Sequence, residues 1–388
     1  MKKILSFIFL TAYCLSAKGR IRLFVFLLVG GLPAVYCFSQ GCCSGGSGSP
    51  IAGGASQGVL LDRQMEVAGN YQYISTNKFY AQDRDTFPLF KNFNSDYLYL
   101  RLAYGITKDF TMSVESGYFL KKQQIGKNSD TATSKGIADL ILFPRYDVYN
   151  NTTEKRRVEL TLGMGWKIPV GTYKDSMVTF RDTANNINYY TTSPPTVQPT
   201  NGSHDFIFYA FFFRGFPLNN FRLFANTLYI KKGWNPLGEK FGDYASISLF
   251  AGKTLFRKLG ITLQMKGEMV GKMKSAKNID LLAFYNVDTA STGGEKVFFV
   301  PQISFTHKSF TVYALSEFPI YQYVNKQQIA SQHQFTLGVS YRFFTARSVI
   351  PKSGEDYYSC SMNCPGGGSD KPGKCMVCGM KMEKMPRP

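Results

Sequence analysis

The sequence predicts an all-β fold in which about twelve antiparallel strands close into a barrel, followed by a small Cys-rich module at the C-terminus. Three observations lead to this prediction. Apolar and polar residues alternate through the body of the chain, and short and long connections alternate between successive strand segments. Four of the eight cysteines lie in the last stretch of the chain, between Tyr357 and Met382.

Composition limits the functional classes. The chain has 388 residues and a formal charge of +19, with 24 Tyr, 33 Phe and only 18% charged residues. No long Lys/Arg run occurs beyond the N-terminal region, and the charges are dispersed through turns and alternating segments. This dispersion is typical of a solvated surface and not of a nucleic-acid partner.

Residues 1–40 are expected to form a signal peptide for export. Basic residues flank two apolar stretches, Ile4–Leu15 and Ile21–Phe38, and cleavage is expected near Ser39–Gly41. Beyond residue 40 no apolar run reaches the ~20 residues that a membrane helix needs. The mature protein is therefore expected to be exported without a helical anchor.

A Gly/Ser-rich segment, residues 41–60, precedes the first strand. Gly and Ser at this density predict a flexible chain. We favour a linker, and insertion into the barrel as a plug remains the alternative. The adjacent Cys42 and Cys43 are compatible with a soft-metal site or with disulfides.

The predicted barrel covers residues 61–344. In Tyr97–Tyr104 the leucines and Tyr104 occupy one face, and Arg101 lies on the other. The same period of two runs through Val158–Ile168 and Ile261–Met269, which indicates strands. Twelve such segments begin near residues 61, 95, 109, 136, 154, 204, 219, 242, 259, 296, 309 and 330.

The connections indicate where this barrel lies. Those after even-numbered segments are short, and those after odd-numbered segments are mostly long, for example residues 169–203 and 272–295. This asymmetry is typical of bacterial outer-membrane barrels, and the aromatic-ended segment Phe335–Phe343 resembles their terminal strand. Lipid tolerates no open sheet edge, so the strands should close. A soluble β-sandwich is the alternative.

The polar faces of these strands supply candidate lumen residues. They carry balanced charge, which argues against strong ion selectivity. The charges either line a narrow, partly obstructed channel, which we favour for a barrel of this size, or pair and simply solvate the interior. The residues are Glu66, Arg101, Glu115, Arg145, Asp147, Glu159, Lys167, Arg222, Lys266, Glu268, Glu317 and Arg342.

Catalysis is not expected. Outer-membrane phospholipases use a Ser–His arrangement on a barrel of about this size. The three histidines here are His204, His307 and His333, and only His204 has a neighbouring serine, Ser203. None of them lies in a hydrolase motif, and nucleophilic chemistry needs an assembled base and nucleophile.

The C-terminal module, residues 357–388, is expected to be zinc-ribbon-like and follows a linker at residues 345–356. An even strand number returns this end to the short-turn side, which in such barrels is the periplasm. Two close cysteine pairs, Cys360-x3-Cys364 and Cys375-x2-Cys378, have spacing that can surround one metal ion. With Met362 and Met380 they are the candidate ligands, and thiolate and thioether sulfur select Cu(I) or Zn(II).

The module resembles the heavy-metal-binding domain of copper and silver efflux adaptors and of some metal-transporting ATPases. The family pattern is Tyr-x-Cys-Pro-Met-His-Pro followed by Asp-Lys-Pro-Gly-Lys-Cys-Pro-x-Cys-Gly-Met. Asn363 replaces the family histidine, so Cys364 is the expected substitute ligand. The matching residues are Tyr358, Cys360, Met362, Asp370, Lys371, Pro372, Gly373, Lys374, Cys375, Cys378, Gly379 and Met380.

Together these patterns predict an outer-membrane channel or transport protein with a periplasmic soft-metal-binding tail, acting in copper or zinc transport or resistance. The expected partners are outer-membrane lipid, a heavy-metal ion and periplasmic metal-efflux components, with no nucleic acid. Two alternatives for the tail are a disulfide-stapled module and a structural zinc site. Two alternatives for the barrel are an anchor for metal sequestration or metallochaperone docking, and a channel for small apolar compounds.

Overall fold

A computed structural model describes residues 58–127, 131–152, 156–256, 258–282, 287–307, 309–345, 357–360, 368–369, 372–373 and 381–385. Two 3-10 helices cover Pro217–Asn219 and Thr289–Ser291. The strands are β1 Gln64–Thr76, β2 Phe79–Gln82, β3 Arg84–Thr86, β4 Asn92–Gly105, β5 Phe110–Ile125, β6 Thr131–Ile137, β7 Leu140–Thr152, β8 Arg157–Ile168, β9 Ser176–Asp182, β10 Ile187–Thr192, β11 Asp205–Phe216, β12 Phe221–Lys231, β13 Glu239–Lys240, β14 Tyr244–Leu255, β15 Leu259–Val270, β16 Lys274–Ser275, β17 Gly294–His307, β18 Phe310–Ile329, β19 His333–Phe344, β20 Tyr357–Cys360, β21 Gly368–Ser369 and β22 Met382–Met385.

Twelve of these strands form a closed antiparallel barrel. Their order is β1-β4-β5-β7-β8-β11-β12-β14-β15-β17-β18-β19, and β19 pairs back with β1. Closure leaves no unpaired sheet edge for lipid to meet. The predicted twelve-stranded closed barrel is confirmed. Among the described residues, no helix is both long enough and apolar enough to cross a membrane.

The alternation of the sequence sets the two faces of the barrel wall. In β4, Leu98, Leu100 and Leu102 are exposed on the outside. Tyr97 and Tyr99, one residue out of phase, are each only 5% exposed on the inside. Strand side chains alternate between faces, so this pattern yields an apolar outer surface suited to lipid and a polar and aromatic interior.

The connections are segregated by length. The turns 106–109, 217–220 and 256–258 are short and lie at one end of the barrel, which we call the short-turn end. Long connections at the other end run from 77 to 91, 126 to 139, 169 to 204, 232 to 243 and 271 to 293.

The connection between β18 and β19 departs from this pattern, because it covers only residues 330–332. Instead β18 is 20 residues long, and Gln327–Ile329 pair with β2 beyond the barrel wall. The expected long segment at this position is therefore an extension of the strand itself.

Three of the long connections pack together, and we call residues 169–204, 232–243 and 271–293 the loop cap. Val197, which is fully buried, contacts a cluster with Phe79, Phe93 and Ile329 on other strands. Asn235 Nδ2 donates to Asn201 O at 2.9 Å, which joins the first two connections. A further apolar cluster, Phe241, Met273 and Leu281, joins the second and third.

The tail has its own three-stranded sheet of β20, β21 and β22. Tyr358 pairs with Ser369 and with Lys384, and Cys360 pairs with Met382. Met382 is 8% exposed, so its side chain packs inside this small unit.

Candidate functional site: the barrel interior and the Cys-rich tail

Glu66 links the strands where the barrel closes. It is 1% exposed, and its two carboxylate oxygens accept from Arg101 on β4 and Arg342 on β19. The register explains this arrangement, since Glu66 lies opposite Arg342, and Arg101 pairs two residues further along β1. Two guanidinium groups therefore neutralise one buried carboxylate.

Glu115 is the next interior acid around the wall. Tyr99 Oη donates to its Oε2 at 2.5 Å, and Ser113 Oγ donates to its Oε1 at 2.8 Å. Arg145, on the adjacent β7, donates from Nη1 to the carbonyl oxygen of Gly58 at 3.0 Å. Arg145 therefore binds the backbone of a segment that precedes β1 and is not part of the barrel wall.

A second group of charges lies near the loop cap. Lys167 Nζ is 2.5 Å from Asp139 Oδ2 and 3.3 Å from Asp205 Oδ2. Lys232 Nζ also contacts Asp205, at 2.9 Å. All four side chains are 10% exposed or less. Two lysines and two aspartates thus form a neutral, desolvated network that ties β8 and β11 to the loops.

Most of the remaining predicted charges form smaller pairs, whereas Asp147 Oδ2 accepts a hydrogen bond from Asn150 Nδ2 at 2.9 Å. Lys266 Nζ is 2.9 Å from Glu268 and 2.5 Å from Glu317. Glu159 accepts from Arg157. Arg222 lies on the interior face of β12 and forms no ion pair with a described residue. The interior thus contains extensive ion pairing, both within strands and between neighbouring strands.

The start of the described chain lies inside the barrel. Leu60 N donates to Thr111 Oγ1 at 2.7 Å, and Gly58 lies beside Phe211 and Thr161. Leu60 is 6% exposed. We call residues 58–61 the N-terminal strap. The sequence left linker and plug open for residues 41–60, of which residues 41–57 lie outside the described residues.

Sequence reasoning missed an aromatic cluster in the interior. Tyr209, Phe211 and Phe213 line the inner face of β11, and Phe224 and Phe250 continue this surface onto β12 and β14. The Phe224 and Phe250 rings stack with centroids 4.3 Å apart. The signal was the segment IFYAFFF, in which apolar residues occupy both strand faces, so the inner face has no polar positions.

The loop cap contains a buried carboxyl group, Glu239, outside the barrel wall. Glu239 is 4% exposed, and its Oε2 accepts from Asn235 Nδ2 at 2.8 Å. Burial raises the pKa of Glu239 above its usual range, while the Asn235 hydrogen bond opposes that shift. The residue lies beside Tyr173 and Pro195 in a small cavity between two of the connections.

The histidines considered for catalysis lie apart from any nucleophile and base arrangement among the described contacts. The His204 ring lies against Trp166, with centroids 5.7 Å apart. Ser203 Oγ donates instead to Asp205 Oδ1 at 2.8 Å. His307 is the last residue of β17, and His333 is the first residue of β19.

In the tail, the structure describes the backbone of Cys360 and leaves the other candidate ligands outside the described residues. These are Met362, Cys364, Cys375, Cys378 and Met380. The described parts of the chain contain no cluster of three or more His, Cys, Asp or Glu residues able to hold a metal ion.

The tail sheet positions the backbone of Cys360. Cys360 pairs in register with Met382, and the preceding Ser359 pairs with Gly368. Met382 N also donates to Gly373 O at 2.9 Å. The backbone of this candidate ligand is therefore held by hydrogen-bonded pairing in a small sheet.

Comparison with known families identifies the tail. Residues 357–385 match the heavy metal binding domain family. This confirms the resemblance drawn from the sequence, although the matched region is a small part of the chain. The match supports metal binding and does not identify the metal.

Solved structures resemble the barrel. The crystal structure of an outer membrane channel from Pseudomonas putida F1 has a TM-score of 0.54 and 11% identity, covering 75% of this chain and 99% of that one. The β domain of the Bordetella autotransporter BrkA has a TM-score of 0.40 and 11% identity, covering 73% and 100%. A search of the curated proteins gave no match. The barrel has the fold of an outer-membrane channel.

Proposed function

We propose that this protein is an outer-membrane channel with a soft-metal-binding periplasmic tail, and that it acts in copper or zinc transport or resistance. The barrel passes a small solute or metal species, and the tail captures metal beside the barrel opening. No reaction is catalysed. Periplasmic metal-efflux components are the proposed partners.

The observation that carries the proposal is the match of residues 357–385 to the heavy metal binding domain family, in a stretch with two close cysteine pairs. Cys360 pairs in register with Met382 in the tail sheet. Sulfur ligands from Cys360, Cys364, Cys375 and Cys378 then surround one ion, with Met362 and Met380 as thioether ligands. Four thiolates bind either Cu(I) or Zn(II), and added methionines favour Cu(I).

The topology supports a periplasmic tail. β1 begins and β19 ends at the short-turn end, where Gln64 pairs with Phe344. In outer-membrane barrels the short turns face the periplasm. The tail follows β19 in the chain, so it starts from that same side.

The metal assay uses the full-length protein, purified under reducing and anaerobic conditions. Cu(I) and Zn(II) are offered in competition, and bound metal is measured by mass spectrometry. We expect one Cu(I) per chain, lost in the variant Cys375→Ser with Cys378→Ser. The matched control, Cys42→Ser with Cys43→Ser, makes the same chemical change outside the tail and should retain that metal. Loss in both variants, or in neither, argues against a tail site. Preferential Zn(II) binding, with a tail that folds only when zinc is bound, argues for a structural module.

One alternative has a specific observation in its favour. The aromatic cluster of Phe211, Phe224 and Phe250 offers an apolar surface inside the barrel. A channel for small apolar compounds would use this surface, with metal binding incidental. Metal-dependent growth separates the two functions: a deletion strain that loses copper or zinc tolerance, restored by wild type and not by the Cys375→Ser, Cys378→Ser variant, supports the metal function.

The anchor alternative is tested by conductance. If the barrel only holds the tail at the membrane, purified protein in planar bilayers will not conduct, and tolerance will survive exchange of the barrel for another. Conductance together with metal binding supports the proposed transport role.

A further inference from the structure

Arg222 stands out among the interior basic residues. Arg101 and Arg342 bind Glu66, Lys167 binds two aspartates, and Lys266 binds two glutamates. Arg222 has no ion pair or hydrogen bond with any part of the chain that the structure describes, and its Nε is buried without a partner. An interior guanidinium with no acceptor implies that something else supplies one.

The position of Arg222 follows from the register. It is the second residue of β12, at the short-turn end, on the same interior face as the buried Phe224. Its neighbours across the two adjacent strands are Gly215 on β11 and Gly252 on β14. Since Gly252 has no side chain, the Arg222 side chain can lie close against the wall at this position.

Thr262 lies on the other side of Gly252 from Arg222. It is on β15 and pairs with Gly252. A Cβ built on Gly252 would lie 2.8 Å from Arg222 Nε and 3.0 Å from Thr262 Oγ1, so both polar atoms face the region above this glycine. The next glycine along this wall, Gly260, lies beside Arg222 Nη2.

Thr262 provides an independent indication of a ligand. The residue is 1% exposed, yet its Oγ1 has no hydrogen-bond partner among the residues that the structure describes. Leaving a buried hydroxyl unsatisfied costs about 1–3 kcal/mol. Glu159, an interior acid on β8, accepts from Arg157 and Asn150. A hydroxyl donor and a guanidinium therefore face one space without an acceptor among the described residues.

We propose that Arg222 and Thr262 form a binding site for a small inorganic anion, such as chloride, inside the barrel near the short-turn end. The guanidinium supplies charge and N–H donors, and the threonine hydroxyl supplies a further donor. Because Gly252 has no side chain, Arg222 Nε and Thr262 Oγ1 both approach it, and one anion on the interior side contacts both groups. In a conducting barrel, which is part of the proposed function, this site gives the channel a preference for anions.

The binding test uses phenylglyoxal, which modifies accessible guanidinium groups, on purified full-length protein in detergent. Modification is followed residue by residue by peptide mass spectrometry in sodium chloride and in sodium gluconate of equal ionic strength. We expect chloride to slow modification of Arg222 at least threefold relative to gluconate. Arg214, an exposed residue at the same end of the barrel, is the internal control and should react equally in both salts.

The variant Thr262→Val tests the second ligand, because it keeps the side-chain shape and removes the hydroxyl. We expect it to retain the folded, heat-modifiable form on gels and to lose most of the chloride protection. Equal rates for Arg222 in both salts overturn the proposal. Full protection in Thr262→Val, or an Arg222 that never reacts in gluconate, also overturns it, since the site must include the hydroxyl and open to solvent.

Ion selectivity gives a second measurement that separates this site from the proposed function. In planar bilayers with a potassium chloride gradient, Arg222→Gln should shift the reversal potential toward cation preference. Lys253→Gln removes the same charge from an exposed position on the neighbouring strand and should leave it unchanged. If Arg222→Gln has no more effect than Lys253→Gln in a conducting barrel, the site does not set selectivity. A barrel that does not conduct, yet shows chloride protection, refutes the transport function and retains the site.

Discussion

Replacing Glu66 by Gln should strongly destabilise the barrel. The change keeps the side-chain shape and removes the charge that faces Arg101 and Arg342. The Glu66 and Arg101 side chains are 1% and 9% exposed, while Arg342 is 34% exposed. Breaking a buried pair by removing one partner costs about 3–5 kcal/mol, because the remaining charge stays buried. Arg342 regains hydration, so we expect a loss near the lower end, about 3 kcal/mol.

The free energy of unfolding would be measured by equilibrium urea titration in lipid vesicles, followed by tryptophan fluorescence. The matched control is Lys326→Gln, which breaks an exposed ion pair with Asp288 and should lose less than about 1 kcal/mol. Combining Glu66→Gln with Arg101→Met removes the unpaired cation and should recover part of the loss. Equal losses for Glu66→Gln and Lys326→Gln, or no recovery in the double variant, would refute the reasoning.

Two further predictions concern packing and the N-terminal strap. Gly338→Ala should destabilise the barrel by about 1–3 kcal/mol in the same titration, because its Cβ would lie 2.2 Å from Tyr313 Cζ; Gly267→Ala, whose Cβ would meet nothing closer than 3.6 Å, should cost clearly less. Arg145→Gln weakens the charged hydrogen bond to Gly58 O, so hydrogen exchange of the Leu60 amide should speed up about tenfold or more, as expected for a bond contributing about 1.5–3 kcal/mol; an unchanged rate would mean that this bond does not hold the strap.

The strand pattern was predictable because closure and lipid impose a strict period. Segments such as Tyr97–Tyr104 alternate since one face meets lipid and the other the interior. The twelve predicted starts fall close to the barrel strands that the structure contains. The connection before β19 was harder, because strand extension and loop look alike in a polar segment such as Gln327–Ile329.

Ion-pair partners in the interior were not predictable from the sequence. Lys266 on β15 pairs with Glu317 on β18, which is far from it in the sequence. This pairing depends on the strand register, which the sequence does not show. The aromatic cluster was overlooked because apolar residues were assigned to lipid. The sequence groups Arg222 with the other candidate lumen charges, and only the register reveals its glycine neighbours.

The even strand number starts the linker at the short-turn end of the barrel. The length of that linker then sets the effective concentration of the tail near this end. With at most about 3.4 Å per residue, the stretch 345–356 keeps the tail within ~40 Å of the end of β19. One module confined to a half-sphere of that radius has an effective concentration on the order of 10 mM. Under the proposed function, an ion released by the tail meets the barrel opening far more often than bulk diffusion at trace metal levels would allow. A short tether then substitutes for a permanent docking surface.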